Sequence, residues 1–209
     1  MMKGGFSGRF YTICDWIMKL AYLNILWLFF SLVGLILFGF FPATVAMFSV
    51  IRDLLLKKEI SIFQTFWQTY KHEFGKSNLL GIILCMIGFI FYVDLIFLKQ
   101  TSSLMQLLYM PLLVFSLIYG LTLLYIFPVY VHYELKVWQV IKNAFFVMVL
   151  FPLYTFIMVL ACLLAYSIMI TFPSLLLFFS GSVFSLIIMT FAHFAFIKND
   201  QRLEMAEKL

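Results

Sequence analysis

Long apolar runs, separated by short polar or proline-bearing stretches, dominate the chain, and their lengths predict helices that cross a membrane. Leu79 to Leu98 is one span interrupted only by Asp94, and Leu104 to Tyr130 is another with no formal charge. Lys99-Gln100-Thr101-Ser102-Ser103 forms the short turn between them. Asn143 to Ile197 carries no Asp, Glu, Lys or Arg over 55 residues. At ~1.5 Å per residue that is about 82 Å of helix against a hydrocarbon core about 30 Å thick. This stretch therefore folds back, near Thr171-Phe172-Pro173-Ser174, because proline starts helices more readily than it continues them.

The N-terminal run Leu20 to Ile51 spans 32 residues, about 48 Å, too long for one untilted crossing and too short for two full ones. A turn at Gly39-Phe40-Phe41-Pro42, with Pro42 opening a second segment to about Leu56 and Arg52 snorkelling to its interface, places 13 of the 14 Lys and Arg residues on one side. Only Lys99 is left opposite. The expectation is an all-α, polytopic transmembrane bundle of about six segments, the second one short or re-entrant, with both termini cytoplasmic.

Polar stretches between the spans have helical periodicity of their own. Ser61-Ile62-Phe63-Gln64 has the form of a capping box, and Ile62, Phe66, Tyr70 and Phe74 recur at spacing four beside Gln64, Gln68, Lys71 and His72. This is the pattern of an amphipathic helix in the cytoplasmic interface, covering 60–77, with Ser77 or Asn78 capping the next span. Phe66, Trp67, Tyr70, Lys71, Phe74 and Lys76 are its candidate partner contacts. The N-terminal arm, 1–19, and the connection 132–143 repeat the amphipathic pattern. The whole is one membrane domain: arm, hairpin 20–56, interfacial helix, hairpin 79–130, connection, hairpin 144–197 and a cytoplasmic tail 198–209.

Composition excludes a water-soluble domain, since 65% of the 209 residues are hydrophobic and 11% charged, against roughly 45–50% and 25% in ordinary globular chains. The net charge of +5 comes from scattered residues that read as topology signals, so no nucleic-acid partner is expected. Cys14, Cys85 and Cys162 fall in three segments and imply free thiols. The first apolar run exceeds the usual signal-peptide core, so the N-terminus is expected to be retained.

Chemistry-bearing motifs are sparse. Gly75-Lys76-Ser77 imitates the end of a phosphate-binding loop, but Tyr70 occupies the position where that loop needs its first glycine. His72, His132 and His193 lack zinc spacing, no nucleophile motif surrounds the serines, and neither metal, cofactor nor catalysis is expected. Asp94 is the one acidic residue well inside a predicted span. It is read as an interfacial or structural group, with a place beside a solute path as the alternative.

Leu23-Asn24-Ile25-Leu26-Trp27, followed by Gly34, Gly39, Phe41-Pro42-Ala43-Thr44 and Arg52, resembles the signature of the YesL-like family of small bacterial membrane proteins. Phe66-Trp67, Phe74 and Asn78-Leu79-Leu80-Gly81 extend the likeness, which is densest over residues 20–81. The resemblance implies a place in the bacterial cytoplasmic membrane and an accessory role in carbohydrate uptake, because such proteins tend to be encoded beside ATP-driven sugar importers. Asn24, Trp27, Pro42, Thr44 and Arg52 carry over as the family motif, with Asn24 expected to bond across the first hairpin. Glu134 lacks the residues of the importer permeases' coupling motif. The expected role is thus an accessory or regulatory subunit touching membrane lipid and an importer's permease; an independent channel or carrier is the alternative.

Overall fold

The computed structural model describes residues 6–100, 107–133 and 135–207, all helical or in short connections. Its eight helices are α1 (Phe6–Val33), α2 (Leu37–Leu55), α3 (Ile62–His72), α4 (Phe74–Gln100), α5 (Tyr109–His132), α6 (Val137–Leu150), α7 (Pro152–Thr171) and α8 (Pro173–Glu207). Six of them, all but α3 and α6, are long and apolar enough to cross a membrane. The chain is a multi-pass membrane protein with an all-α bundle. Thr101–Ser103 of the expected turn, and Glu134, lie outside the described residues.

Several boundaries differ from expectation, each for a local reason. The first turn falls at Gly34, Leu35 and Ile36, before Gly39, and Pro42 lies inside α2. Glycine is needed here for close approach: a Cβ on Gly34 would stand 2.3 Å from the Cα of Gly39, and one on Gly39 would stand 2.5 Å from the carbonyl oxygen of Ser31. The arm and tail are not separate elements but continuations of α1 and α8. Ser61 stands at the start of α3 without a side-chain cap bond, so the capping box is not formed. Ala144 to Leu150 belongs to α6, and the fifth apolar span begins at Pro152, whose missing N–H suits a first helical position. The turn at Phe172 before Pro173 is where proline placed it.

α2 is the centre of the bundle. Of its most apolar stretch 67% is buried, against 17–33% in the other five long helices, and Ala43 through Ile51 are all buried. Pro42 explains one of its attachments. Without an N–H, Pro42 cannot bond the carbonyl of Phe38 four residues back. That oxygen instead accepts a 2.9 Å hydrogen bond from Nδ2 of Asn78 in α4. Asn78 therefore does not cap a helix at Leu79; α4 has already begun at Phe74.

The same end of the α4–α5 hairpin holds both ends of α2. Asn78 near the start of α4 takes Phe38, and the carbonyl of Val131 near the end of α5 accepts a hydrogen bond from Nη1 of Arg52. Phe38 and Arg52 are about 21 Å apart along the helix, so α2 lies obliquely across that end. α1 approaches from the other side. Asn24 meets α8 at Gly181, eight residues after Pro173, whereas Phe196 of α8 stacks on His132 at 4.6 Å. Phe30, six residues beyond Asn24, packs on Phe66, Trp67 and Tyr70 of α3. α1 thus runs toward the end of the bundle that carries α3.

Asn78→Leu is expected to lower the unfolding midpoint in detergent, at a cost on the order of 1–3 kcal/mol for a carbonyl left without a partner. Combining it with Pro42→Ala, which restores an N–H for Phe38, should cancel part of that loss. Strict additivity in the double-mutant cycle would show that the bond contributes nothing.

Candidate functional site

At the α3 end, α2, α3, α4 and α5 enclose a polar cleft of about 530 Å³. Val45, Ser49 and Arg52, spaced by four and three along α2, present one face to it; Gln68, Thr69, His72 and Glu73 face it from α3 and the junction. Lys76 of α4 and Tyr130 and Val131 of α5 complete the wall. The junction forms because α3 stops at His72 and α4 starts at Phe74, leaving Glu73 between them.

Glu73 is the hub of the cleft's acidic side. Its carboxylate accepts a hydrogen bond from the Tyr130 hydroxyl and pairs with Nδ1 of His72 at 2.7 Å. Burial pushes the carboxyl up, but the bonds from Tyr130 and His72 and the nearby charge of Lys76 outweigh it, so the net shift is downward. On the basic side, Arg52 donates from Nε and Nη2 to Asp53 at 3.3 and 3.2 Å, and Lys58 pairs with the same carboxylate at 2.9 Å. Lys76 sits over the Tyr130 ring, 5.1 Å from its centroid.

A family model described as "Protein of unknown function, DUF624" matches residues 20–95. Three Bacillus subtilis (strain 168) proteins are similar over nearly the whole chain. Uncharacterized protein YteU is 36% identical over 96% of this chain and 91% of its own length. Uncharacterized protein YesL is 36% identical over 91% of each, and uncharacterized protein YesV 35% identical over 95% of this chain and 97% of its own. The chain belongs to this YesL-like DUF624 family. No solved structure matches it.

Each of Asn24, Trp27, Pro42, Thr44 and Arg52, singled out in the sequence, takes part in joining a pair of helices. The Asn24 side chain, fully buried, donates to the carbonyl of Leu177 and accepts from the N–H groups of Gly181 and Ser182. Its partner is therefore α8, not the other arm of the first hairpin. Leu177 and Gly181 are the acceptor and donor of one helical rung, so Asn24 spans a rung of α8. Trp27 of α1 donates to Thr44 of α2 at 3.0 Å, and Thr44 donates on to the carbonyl of Phe40. Pro42 acts through Phe38 and Asn78. Arg52 does not merely snorkel; it ties α2 to α5.

The partner candidates on α3 and α4 divide into two groups. Phe66 and Tyr70 are buried in the bundle, and the Tyr70 hydroxyl donates to the carbonyl of Phe30 at 3.2 Å. Trp67, Lys71, Phe74 and Lys76 are exposed, with Lys71 over the Trp67 ring at 4.8 Å. Asp94 lies exposed on α4 and does not line the cleft. Sequence reasoning missed Ser49, Glu73 and Tyr130 as a group. In the sequence, the only signal was that Ser49 and Arg52, three apart on α2, share one face of a mostly apolar helix.

The lowered Glu73 carboxyl implies a pH dependence of definite sign. The folded state favours the carboxylate, so its contribution is complete above the ordinary carboxylate range and disappears as pH falls through the depressed value. Glu73→Gln should therefore flatten the acid-side fall in unfolding midpoint, recorded by tryptophan fluorescence in detergent. An unchanged pH profile would remove Glu73 from the linkage.

Proposed function

We propose that the protein is an accessory membrane subunit of an ATP-driven carbohydrate importer, acting by association and without catalysis of its own. The observation that carries this reading is the division of labour at the α3 end. The family-motif residues are used up in joining helices, while α3 turns Phe63, Trp67 and Lys71 outward. An aromatic, basic outer face on a short amphipathic helix suits contact with another membrane protein near the headgroups. The importer as partner rests on the company that YesL-like proteins keep. Purification in mild detergent should bring down importer permease and ATPase subunits, and Trp67→Ala with Lys71→Glu should reduce the yield. A protein that purifies without them, from cells whose oligosaccharide uptake is normal after its deletion, would end this proposal.

The proposed setting is the bacterial cytoplasmic membrane, with the α3 end inside. Arg52, Lys57, Lys58, Lys71, Lys76, Lys136, Lys198 and Arg202 belong to that end, which agrees with the positive-inside tendency. The tail of α8 is then cytoplasmic, and from the direction of α1 we propose that its first turns, with Arg9 and Lys19, are outside, against the two cytoplasmic termini expected from charge alone. Single cysteines in a Cys-free background test this. Those at Tyr11 and Phe172 should react with an impermeant maleimide on intact cells, and those at Lys58 and Gln139 should not. Protection of Tyr11 would return the N-terminus to the cytoplasm.

A further inference from the structure

We propose that the cleft between α2, α3, α4 and α5 is a binding site for a phosphate group carried by a small polar compound. Several hydrogen-bond donors on the cleft wall have no acceptor among the described residues. Ser49 is 8% exposed and lines the cleft, yet its hydroxyl makes no hydrogen bond among the described residues. Gln68 and Thr69 stand on the facing wall, and their side chains likewise have no hydrogen bond among the described residues. Ser49 and Thr69 open onto the cleft and Gln68 is exposed beside it, so these donors are available to a ligand that enters there.

Charge narrows the choice of ligand. Lys76 contributes an ammonium that lies over the Tyr130 ring and near enough to Glu73 to favour its carboxylate, yet makes no hydrogen bond or ion pair among the described residues. Arg52 uses three of its five N–H groups on Asp53 and Val131, which leaves two free and fixes the guanidinium plane. Glu73 brings one negative charge to the lining, against the two positive charges of Arg52 and Lys76. Its two oxygens are engaged by Tyr130 and His72, so the donors still unspent belong to Arg52, Lys76, Ser49, Thr69 and Gln68. A planar guanidinium, a mobile ammonium and neutral hydroxyl and amide donors form a set matched to phosphate oxygens.

Size and place fix the class further. About 530 Å³ takes a phosphate together with an attached glycerol or hexose, within the range of ordinary small-ligand sites. The cleft lies where α4 and α5 leave their apolar spans, so the phosphate could belong to a lipid headgroup or to a soluble phosphorylated compound. Both sources share the chemistry of the site.

The test uses the full chain purified in dodecyl maltoside, with the unfolding midpoint followed by tryptophan fluorescence. The probes are inorganic phosphate, glycerol 3-phosphate and dihexanoylphosphatidylglycerol, each against glycerol and sodium chloride at equal ionic strength. A phosphate-bearing probe should raise the midpoint in a saturable way, and Lys76→Gln or Ser49→Ala should weaken it by about tenfold, the loss of one charge-assisted or buried hydrogen bond. Lys76 is exposed and Ser49 small, so both variants should fold; their unliganded midpoints check this. Saturation by the lipid probe alone assigns the site to a headgroup, and saturation by glycerol 3-phosphate or inorganic phosphate assigns it to a soluble compound. No saturable shift with any phosphate probe, or a shift that both variants leave unchanged, overturns the proposal.

Discussion

Within a bilayer there is no water to take up a stray carbonyl, and apolar helix faces gain little by leaving lipid for one another. A bundle of this composition must therefore be fixed by close packing and by polar groups that find one another. The bond from Asn78 to the carbonyl of Phe38 is where that constraint acts most directly. Pro42 frees the carbonyl and Asn78 captures it, so a local defect in α2 becomes an attachment between α2 and α4. α2 is the most buried of the six long helices and packs against α1, α3, α4, α5 and α8, so how its start is held bears on all of them.

The other attachments repeat the principle with different donors. Asn24 bridges a rung of α8, Trp27 reaches Thr44 across the first turn, and Arg52 reaches Val131. Close approach supplies what these bonds do not. Gly34 and Gly39 bring α1 and α2 together at their turn, and a Cβ on Gly81 would lie 2.3 Å from the Phe41 ring. Architecture and cleft are consequently inseparable, since Arg52 both joins α2 to α5 and forms part of the cleft wall.

This arrangement also explains why a polar cleft can exist beside so much apolar surface. α2 crosses the end of the α4–α5 hairpin obliquely, which opens space beneath α3 that parallel helices would fill. Polar side chains from four elements then share that space, and each charge has a neighbour that offsets it or a face left for a ligand. The outer side of α3 remains available to a partner while its inner side closes the cleft. The proposed ligand and the proposed partner would therefore use opposite faces of one short helix.

Much of the fold was legible in the residues alone. Charge-free lengths predicted the spans, Pro173 the last turn, and the spacing of Ile62, Phe66 and Tyr70 the amphipathic α3, because length, proline geometry and periodicity are local properties of a helix. The family was legible too, and with it a set of residues without partners. Only the tertiary structure decided what they join: Asn24 to α8, Pro42 through Phe38 to Asn78, and Arg52 to Val131 are contacts between segments distant in sequence. The first turn, the break at Pro152 and the oblique course of α2 were set in the same way, since apolar periodicity cannot distinguish a helix that crosses from one that lies across its neighbours. Glu73, Ser49 and Tyr130 meet for that reason alone, and no spacing in the chain announces it.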